Sequence, residues 1–147
     1  MDFDSAVALL RRLIATPSPS REEGAAADIM EAELRSMGYK PHRKGNNVWS
    51  EACARDDSKP TILLDAHIDT VRPSAAWSRD PYDACIEDGC LYGLGSNDAG
   101  ASLVSLFQAY RYLCATEQNY NLIFLASCEE EVSGKNGIES VLPQLPP

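Results

Sequence analysis

Two stretches near the amino terminus carry apolar residues at helical spacing. Between residues 5 and 15 the apolar positions recur every three or four residues, which predicts a helix with one buried face. Two prolines within residues 16–19 are expected to end it, because proline lacks the amide donor that a helix needs. Ser20 and Glu23 have the spacing of a capping box, which predicts the start of a second helix that ends at Gly38. Both helices are interpreted as core elements.

Two continuous apolar runs predict buried strands. Residues 61–64 are predicted to form a central strand covered on both faces, and residues 121–126 a second one. Residues 71–83 contain two prolines and predict a long loop. The remaining predicted elements are a short strand near Val48 and Trp49 after a turn at residues 45–47, a β-hairpin over residues 85–92, a helix over residues 101–113 and a short helix over residues 138–142. This order predicts an α/β fold with a helix-flanked, mixed and largely parallel sheet.

Composition and charge exclude some classes of partner. The chain has 147 residues, 44% of them hydrophobic, and a formal net charge of -9. Its 13 basic residues are scattered rather than clustered, which argues against a nucleic-acid partner. No apolar run approaches the ~20 residues of a membrane span, so no membrane partner is expected. The acidic amino terminus lacks the features of a signal peptide, which favours a cytoplasmic location. The five cysteines are odd in number, which favours free thiols.

The first cluster with chemical potential directly follows the predicted strand at residues 61–64. Side chains two apart on a strand point to the same side, so His67 and Asp69 can act on one point in space. The carboxylate could hold the imidazole, or a metal bound by it, in a fixed orientation. An Asp–His pair that merely satisfies its own hydrogen bonds at a strand end is the alternative.

The second cluster is a glycine-rich loop at residues 93–100 with one aspartate, Asp98. Glycines let the backbone approach a ligand closely. A phosphate loop is disfavoured because Asp98 would repel an anion and no lysine follows it. The remaining alternative is that Asp98 only caps the following helix.

The third cluster is a run of three glutamates, residues 129–131, at the end of the second buried strand. On an exposed helix such a run would be a solvated charged face. At the carboxyl end of a strand, where α/β sheets place their sites, the like charges repel unless a cation compensates them. Together the three clusters predict a site for zinc, manganese or cobalt rather than a thiolate-bound structural zinc.

These motifs resemble those of the M20 metallopeptidases, the family of acetylornithine deacetylase and succinyl-diaminopimelate desuccinylase. The resemblance runs through the segments Thr16-Pro17-Ser18, His67-Ile68-Asp69, Tyr92-Gly93-Leu94-Gly95-Ser96-Asn97-Asp98 and Ser127-Cys128-Glu129-Glu130-Glu131. It implies a zinc-exopeptidase-like catalytic domain. The sequences of residues 97–101 and 128–137 resemble those of the acetylornithine deacetylase branch of the family.

The resemblance also implies a role for each site residue. His67 would bind one metal ion, and Asp69 would orient that ligand. Asp98 would bridge two metal ions and precede a cis peptide bond. Glu130 would be the general base, and Glu131 would bind the second metal ion. Two divalent ions are implied, with zinc as the first choice and cobalt or manganese as alternatives.

The implied function is removal of an acyl group from a small N-acyl amino acid. Acetylornithine, in arginine biosynthesis, is the predicted substrate. A succinyl-diaminopimelate desuccinylase or an M20 dipeptidase is the alternative within the same chemistry. A non-catalytic fragment that serves as an interaction module is the alternative from another class.

The resemblance further implies that residues 1–147 are the amino-terminal part of the catalytic domain. Full-length members add a further carboxylate ligand, a dimerisation or lid domain and a carboxyl-terminal segment with a second metal-binding histidine. Here His42 is the other histidine, and it is expected at the surface. The full-length protein is expected to be a homodimer, and this chain alone is expected to bind metal weakly and to hydrolyse nothing.

Overall fold

The computed structural model describes residues 3–52 and 55–146. In chain order the elements are helices α1 (Phe3–Ile14) and α2 (Gly24–Ser36), strands β1 (His42–Lys44), β2 (Asn47–Glu51), β3 (Thr61–His67), β4 (Ile86–Glu87) and β5 (Cys90–Leu91), a π-helical turn (Ser96–Ala101), helix α3 (Ser102–Cys114), strand β6 (Asn121–Ser127), a 3-10 turn (Glu130–Val132), helix α4 (Ile138–Val141) and a second 3-10 turn (Leu142–Gln144).

The predicted helices and turns are present. Gly38 follows α2 with a φ of +83° and donates its amide to the carbonyl of Arg35, as expected of a helix-ending glycine. The β4–β5 hairpin turns through Asp88 and Gly89, whose φ angles are both positive. Residues 71–83 contain no helix or strand, as predicted.

The predicted capping box at the start of α2 is wrong. The hydroxyl of Ser20 donates to a carboxylate oxygen of Asp69 and does not cap helix α2. Glu23 is fully buried and accepts the amide of Arg21 at 2.6 Å, not that of Ser20. Both side chains are committed to partners that sequence spacing cannot reveal, so helix α2 begins at Gly24 without a side-chain cap.

The main sheet has the strand order β1-β2-β6-β3. Strands β3 and β6 are parallel, with His67 opposite Ser127, whereas β1–β2 and β2–β6 are antiparallel. The predicted α/β class and mixed sheet are confirmed. The sheet is less parallel than predicted, because the β1–β2 hairpin folds back at Gly45 and places β2 antiparallel to β6.

The prediction that residues 61–64 form a central strand is wrong for the part of the chain that the structure describes. Strand β3 pairs there with β6 alone, and Ile62 is 41% exposed. The strand with neighbours on both sides is β6, whose residues 122–127 are all buried. An apolar run shows that a strand is β-rich but does not show how many of its edges are paired.

The core lies on both faces of β6, because successive side chains of a strand point to opposite sides. Leu122, Phe124 and Ala126 join the larger apolar cluster, to which α1, α2 and α3 contribute. The ring of Phe124 lies 5.3 Å from that of Phe107 on α3. On the other face, the smaller cluster comprises the buried residues Trp49, Ile123, Leu125 and Val141. Helices therefore flank the sheet on both faces and leave the carboxyl ends of β3 and β6 open.

Two other expectations concern the whole chain. Among the described residues, Cys85, Cys90, Cys114 and Cys128 form no disulfide bond, while Cys53 lies outside the described residues. None of the helices that the structure describes is both long and apolar enough to cross a membrane.

Candidate metal centre

The three chemical clusters converge at one edge of the sheet. Because β3 and β6 are parallel, their carboxyl ends lie side by side, with His67 at the end of one and the glutamates just beyond the other. The π-helical turn that precedes α3 brings Asp98 to the same place. His67 is 8% exposed, whereas the side chains of Asp98 and Glu130 are 77% and 60% exposed. The site is a buried imidazole beneath open carboxylates.

The orientation of His67 is fixed from behind. Its Nδ1 lies 2.9 Å from the backbone oxygen and 3.5 Å from Oδ1 of Asp69. With Nδ1–H donating to Asp69, Nε2 is the nitrogen that remains to bind a metal ion in place of a proton. That Nε2 lies 3.1 Å from Oδ1 of Asp98 and 3.6 Å from Oε2 of Glu130. The hydrogen bond to the Asp69 side chain is the main reason that the pKa of His67 is raised to about 9.

Asp69 joins the two halves of the site. It is 1% exposed, and its carboxylate accepts the hydroxyl of Ser20 at 2.7 Å and the amides of Glu130 and Glu131 at 3.0 and 3.1 Å. Burial alone would raise the pKa of Asp69, but these bonds and that from His67 outweigh burial and lower it to about 2. One side chain therefore positions both the imidazole and the glutamates. Part of this orienting role follows from the resemblance, but the two amide contacts are visible only in the structure.

Asp98 does not act as a helix cap. Helix α3 is capped at Ala101 without a side-chain bond, and the carboxylate of Asp98 contacts His67 instead. The peptide bond from Asp98 to Ala99 is cis, as the resemblance implies. Gly100 is required in this turn, because a Cβ there would overlap the carbonyl oxygen of Gly95.

Glu130 and Glu131 complete the cluster. One ligand atom from each of His67, Glu130 and Glu131 lies within 4.8 Å of the others. The pKa of Glu131 is raised, first by burial and then by the neighbouring charge of Asp98. Mutually repelling carboxylates around one oriented imidazole are a donor set that suits a divalent cation such as zinc, manganese or cobalt. The residues present thus fit the metal chemistry that the sequence predicts.

Glu129, the first of the three glutamates, is separate from this cluster. It is 6% exposed and has a φ of +56°. Its carboxylate accepts the side-chain amide of Asn136 at 2.8 Å. Glu129 is therefore part of the support beneath the site, and the run of three glutamates does not reveal this difference.

A cleft of about 240 Å³ lies beside the candidate metal centre. Glu131 lines one side of it, and Val71 and Val132 supply exposed apolar surface. Arg72 also lines the cleft and forms an ion pair with Glu22. The cleft places apolar and charged groups next to Glu131.

The fold and the site together define an α/β domain with a candidate metal centre at parallel strand ends. The sequence matches the Peptidase family M20/M25/M40 over residues 63–146. The chain belongs to this family.

Curated relatives agree with this assignment. The chain is 30% identical to a succinyl-diaminopimelate desuccinylase of Maricaulis maris over an alignment of 151 residues. The alignment covers 98% of this chain and 38% of that protein. The protein of the same name from Corynebacterium glutamicum is 32% identical over 145 residues, with 95% and 37% covered. The chain thus spans little more than a third of the length of these relatives.

Solved structures share the fold. An M20 family metallo-carboxypeptidase from Sulfolobus solfataricus superimposes with a TM-score of 0.73 and 25% identity, over 90% of this chain and 32% of that one. A dinuclear metal binding peptidase of the M20 family from Bacillus subtilis gives a TM-score of 0.68 at 21% identity, over 95% of this chain and 38% of that one. At this identity the second comparison speaks for the fold alone.

Proposed function

We propose that residues 1–147 form the amino-terminal part of the catalytic domain of a two-metal amide hydrolase. The observation that supports this most strongly is the convergence of His67, Asp98, Glu130 and Glu131 at one sheet edge, above the buried Asp69. The dimerisation domain and the remaining ligands belong to other parts of the full-length protein, which we propose to be a homodimer.

Each residue has a distinct role in this proposal. His67 would hold one divalent ion through Nε2, Glu131 would hold a second, and Asp98 would be a ligand of both. When bound, two such ions, with zinc as the first candidate, lower the pKa of a shared water and polarise an amide carbonyl. Asp69 keeps the imidazole in the tautomer that leaves Nε2 free to bind.

Glu130 is the proposed general base. Its side chain is 60% exposed, so it can reach water and substrate, while its amide is anchored on Asp69. It takes a proton from the attacking water and delivers it to the departing amine. Glu131 would not share this work, because its lone pairs would be committed to a metal ion. Two adjacent glutamates thus need two different roles.

The proposed substrate class is an N-acyl amino acid. The sequence motifs favour acetylornithine, whereas the curated relatives named succinyl-diaminopimelate desuccinylases favour an N-succinyl substrate. We place the N-succinyl substrate first for this reason, and the N-acetyl substrate second. The human carnosine dipeptidase 1 structure, with a TM-score of 0.65 and 22% identity, shares only the fold and does not change this order.

The test of this function is amide hydrolysis by a protein that joins residues 1–147 to the remainder of an M20 catalytic domain. We expect zinc-dependent amine release from N-succinyl-diaminopimelate or N-acetylornithine, and loss of turnover with retained zinc in Glu130→Gln. A zinc-loaded protein that cleaves no N-acyl amino acid would overturn the proposal. The 147-residue chain alone is expected to bind zinc weakly and release no amine, because it supplies one imidazole to the centre.

A further inference from the structure

The segment that carries the glutamates is held by its backbone amides. Four consecutive amides, those of residues 128–131, donate to side chains from three other parts of the chain. The acceptors are Oδ1 of Asn47 for Cys128 at 3.1 Å, Oε1 of Glu23 for Glu129 at 3.2 Å, and the two carboxylate oxygens of Asp69 for Glu130 and Glu131. The direction in which the chain leaves β6 is thus fixed by distant side chains rather than by a helix.

Glu23 is the unexpected member of this set. It is completely buried, and none of the ion pairs among the described residues involves it. Its carboxylate instead accepts the amide of Arg21 at 2.6 Å, the side-chain amide of Asn46 at 2.7 Å and the amide of Glu129. Burial of a carboxylate without a cation is unfavourable unless hydrogen bonds compensate for the lost water. Pairing with a cation therefore does not explain why Glu23 is buried, whereas its three hydrogen bonds do.

The residue that Glu23 holds is itself in an unusual conformation. Glu129 has a φ of +56°, in the left-handed region that side chains other than glycine rarely adopt. Such conformations persist when the surrounding contacts over-determine them. Glu129 is fixed at its amide by Glu23 and at its carboxylate by Asn136. This turn sets the direction of Glu130 and Glu131.

We propose that Glu23 is a positioning residue of the metal centre. Its carboxylate anchors the amide of Glu129, just as Asp69 anchors the next two amides, and so fixes where Glu131 presents its oxygens. The inference rests on the proposed function in one respect, namely that Glu131 binds a metal ion. The geometry of the anchor is independent of that assumption.

The experiment compares four variants of the 147-residue chain with the wild type. Glu23→Ala removes the anchor, Glu23→Asp keeps the charge but draws the oxygens back by one carbon, and Glu23→Gln keeps the length without the charge. In Glu23→Gln the carbonyl oxygen can still accept from Arg21 and Glu129 if the Asn46 amide rotates. Glu117→Ala is the control, because Glu117 is an exposed glutamate outside the site.

Three readouts separate positioning from simple stabilisation. The first is zinc affinity, measured by calorimetry at a temperature below the midpoint of thermal unfolding. The second is the free energy of unfolding in urea. The third is the proton chemical shift and the hydrogen exchange rate of the Glu129 amide, measured by NMR. We expect zinc to bind about 10-fold more weakly to Glu23→Ala than to the wild type, and to bind Glu23→Asp with an affinity between those of Glu23→Ala and the wild type. Glu23→Gln and Glu117→Ala should bind zinc within about 3-fold of the wild type. In Glu23→Ala and Glu23→Asp the Glu129 amide should exchange faster and shift upfield.

Two results would overturn the inference. The first is lower stability of Glu23→Ala with unchanged zinc affinity, since that is what a purely structural residue gives. The second is a Glu129 amide that does not respond to any substitution of Glu23. If Glu23→Ala does not fold, Glu23→Asp and Glu23→Gln are compared instead. The inference then requires that Glu23→Asp binds zinc more weakly than Glu23→Gln. A wild type that binds no zinc refutes the proposed function, whereas the response of the Glu129 amide still tests whether Glu23 anchors the segment.

Discussion

Asp69→Ala is the substitution whose effect the structure defines best. It removes a carboxylate that is 1% exposed and leaves three donors without an acceptor: the hydroxyl of Ser20 and the amides of Glu130 and Glu131. It also frees the imidazole of His67 from one side-chain contact, although the backbone oxygen of residue 69 remains. The change therefore loosens both halves of the site at once.

The magnitude follows from the three lost hydrogen bonds. Bonds to a charged acceptor contribute about 1.5–3 kcal/mol each, and an unsatisfied buried donor costs about 1–3 kcal/mol. The side chain of Glu130 is 60% exposed, so water can reach part of this segment and reduce the loss. We expect the free energy of unfolding to fall by about 3–5 kcal/mol, a large part of the 5–15 kcal/mol typical of a domain. Zinc affinity should fall by about 10- to 100-fold, as for other residues that orient metal ligands.

The assay combines urea unfolding followed by circular dichroism with zinc titration calorimetry on the folded chain. Asp83→Ala is the control, because it removes the same charge from an exposed position in the long loop. It should change stability by less than about 0.5 kcal/mol and leave zinc affinity unchanged. A fall of less than about 1 kcal/mol for Asp69→Ala, with wild-type zinc affinity, would refute the reasoning about Asp69.

Three further changes test other parts of the account. Glu130→Gln should retain zinc affinity within about 3-fold while Glu131→Gln loses about 10-fold or more, measured by calorimetry, because only the second is a proposed ligand. Gly134→Ala should lower the free energy of unfolding by about 1–3 kcal/mol in urea, because its Cβ would overlap the carboxylate of Glu129. The thiol of Cys128 should be alkylated at pH 8 about 100-fold more slowly than an ordinary exposed thiol, because burial, followed by the charges of two nearby glutamates, raises its pKa to about 12.

Each of these has a control within the chain. Equal zinc affinity of the two glutamine variants would contradict the division of roles between the glutamates. Gly24→Ala should be neutral or slightly stabilising, because a Cβ there meets its nearest atom at 3.8 Å within the first turn of α2. Cys90 is exposed and should be modified first, as peptide mass mapping will show. Labelling of Cys128 at the rate of Cys90 would mean that the core around it opens readily.

The sequence predicts much of the site because His67, Asp69 and the glutamates lie at or just after strand ends. The apolar runs before His67 and before Glu129 indicate two strands, and parallel strands bring their carboxyl ends to one edge. The contact between His67 and Asp98 agrees with the prediction, as does the α/β class. Periodicity and position suffice for these features because both are local properties of the chain.

What the sequence could not predict depends on burial and long-range pairing. Ser20 and Glu23 fit a capping box by spacing, yet each is bonded to a residue more than 40 positions away. Ile62 belongs to an apolar run, yet it lies on an edge strand of the described sheet and is 41% exposed. Glu129 differs from its two neighbours in its burial, its backbone angle and its contact with Asn136. The roles of these residues are determined by tertiary contacts and not by the local sequence pattern.

The central claim is that His67, Asp98 and Glu131 form a binding site for a divalent metal. Calorimetric titration of zinc into the wild-type chain, Asp98→Ala and Glu131→Ala tests it most directly. We expect saturable binding to the wild type and a loss of about 10-fold or more in each variant. Identical affinity in all three proteins would contradict it.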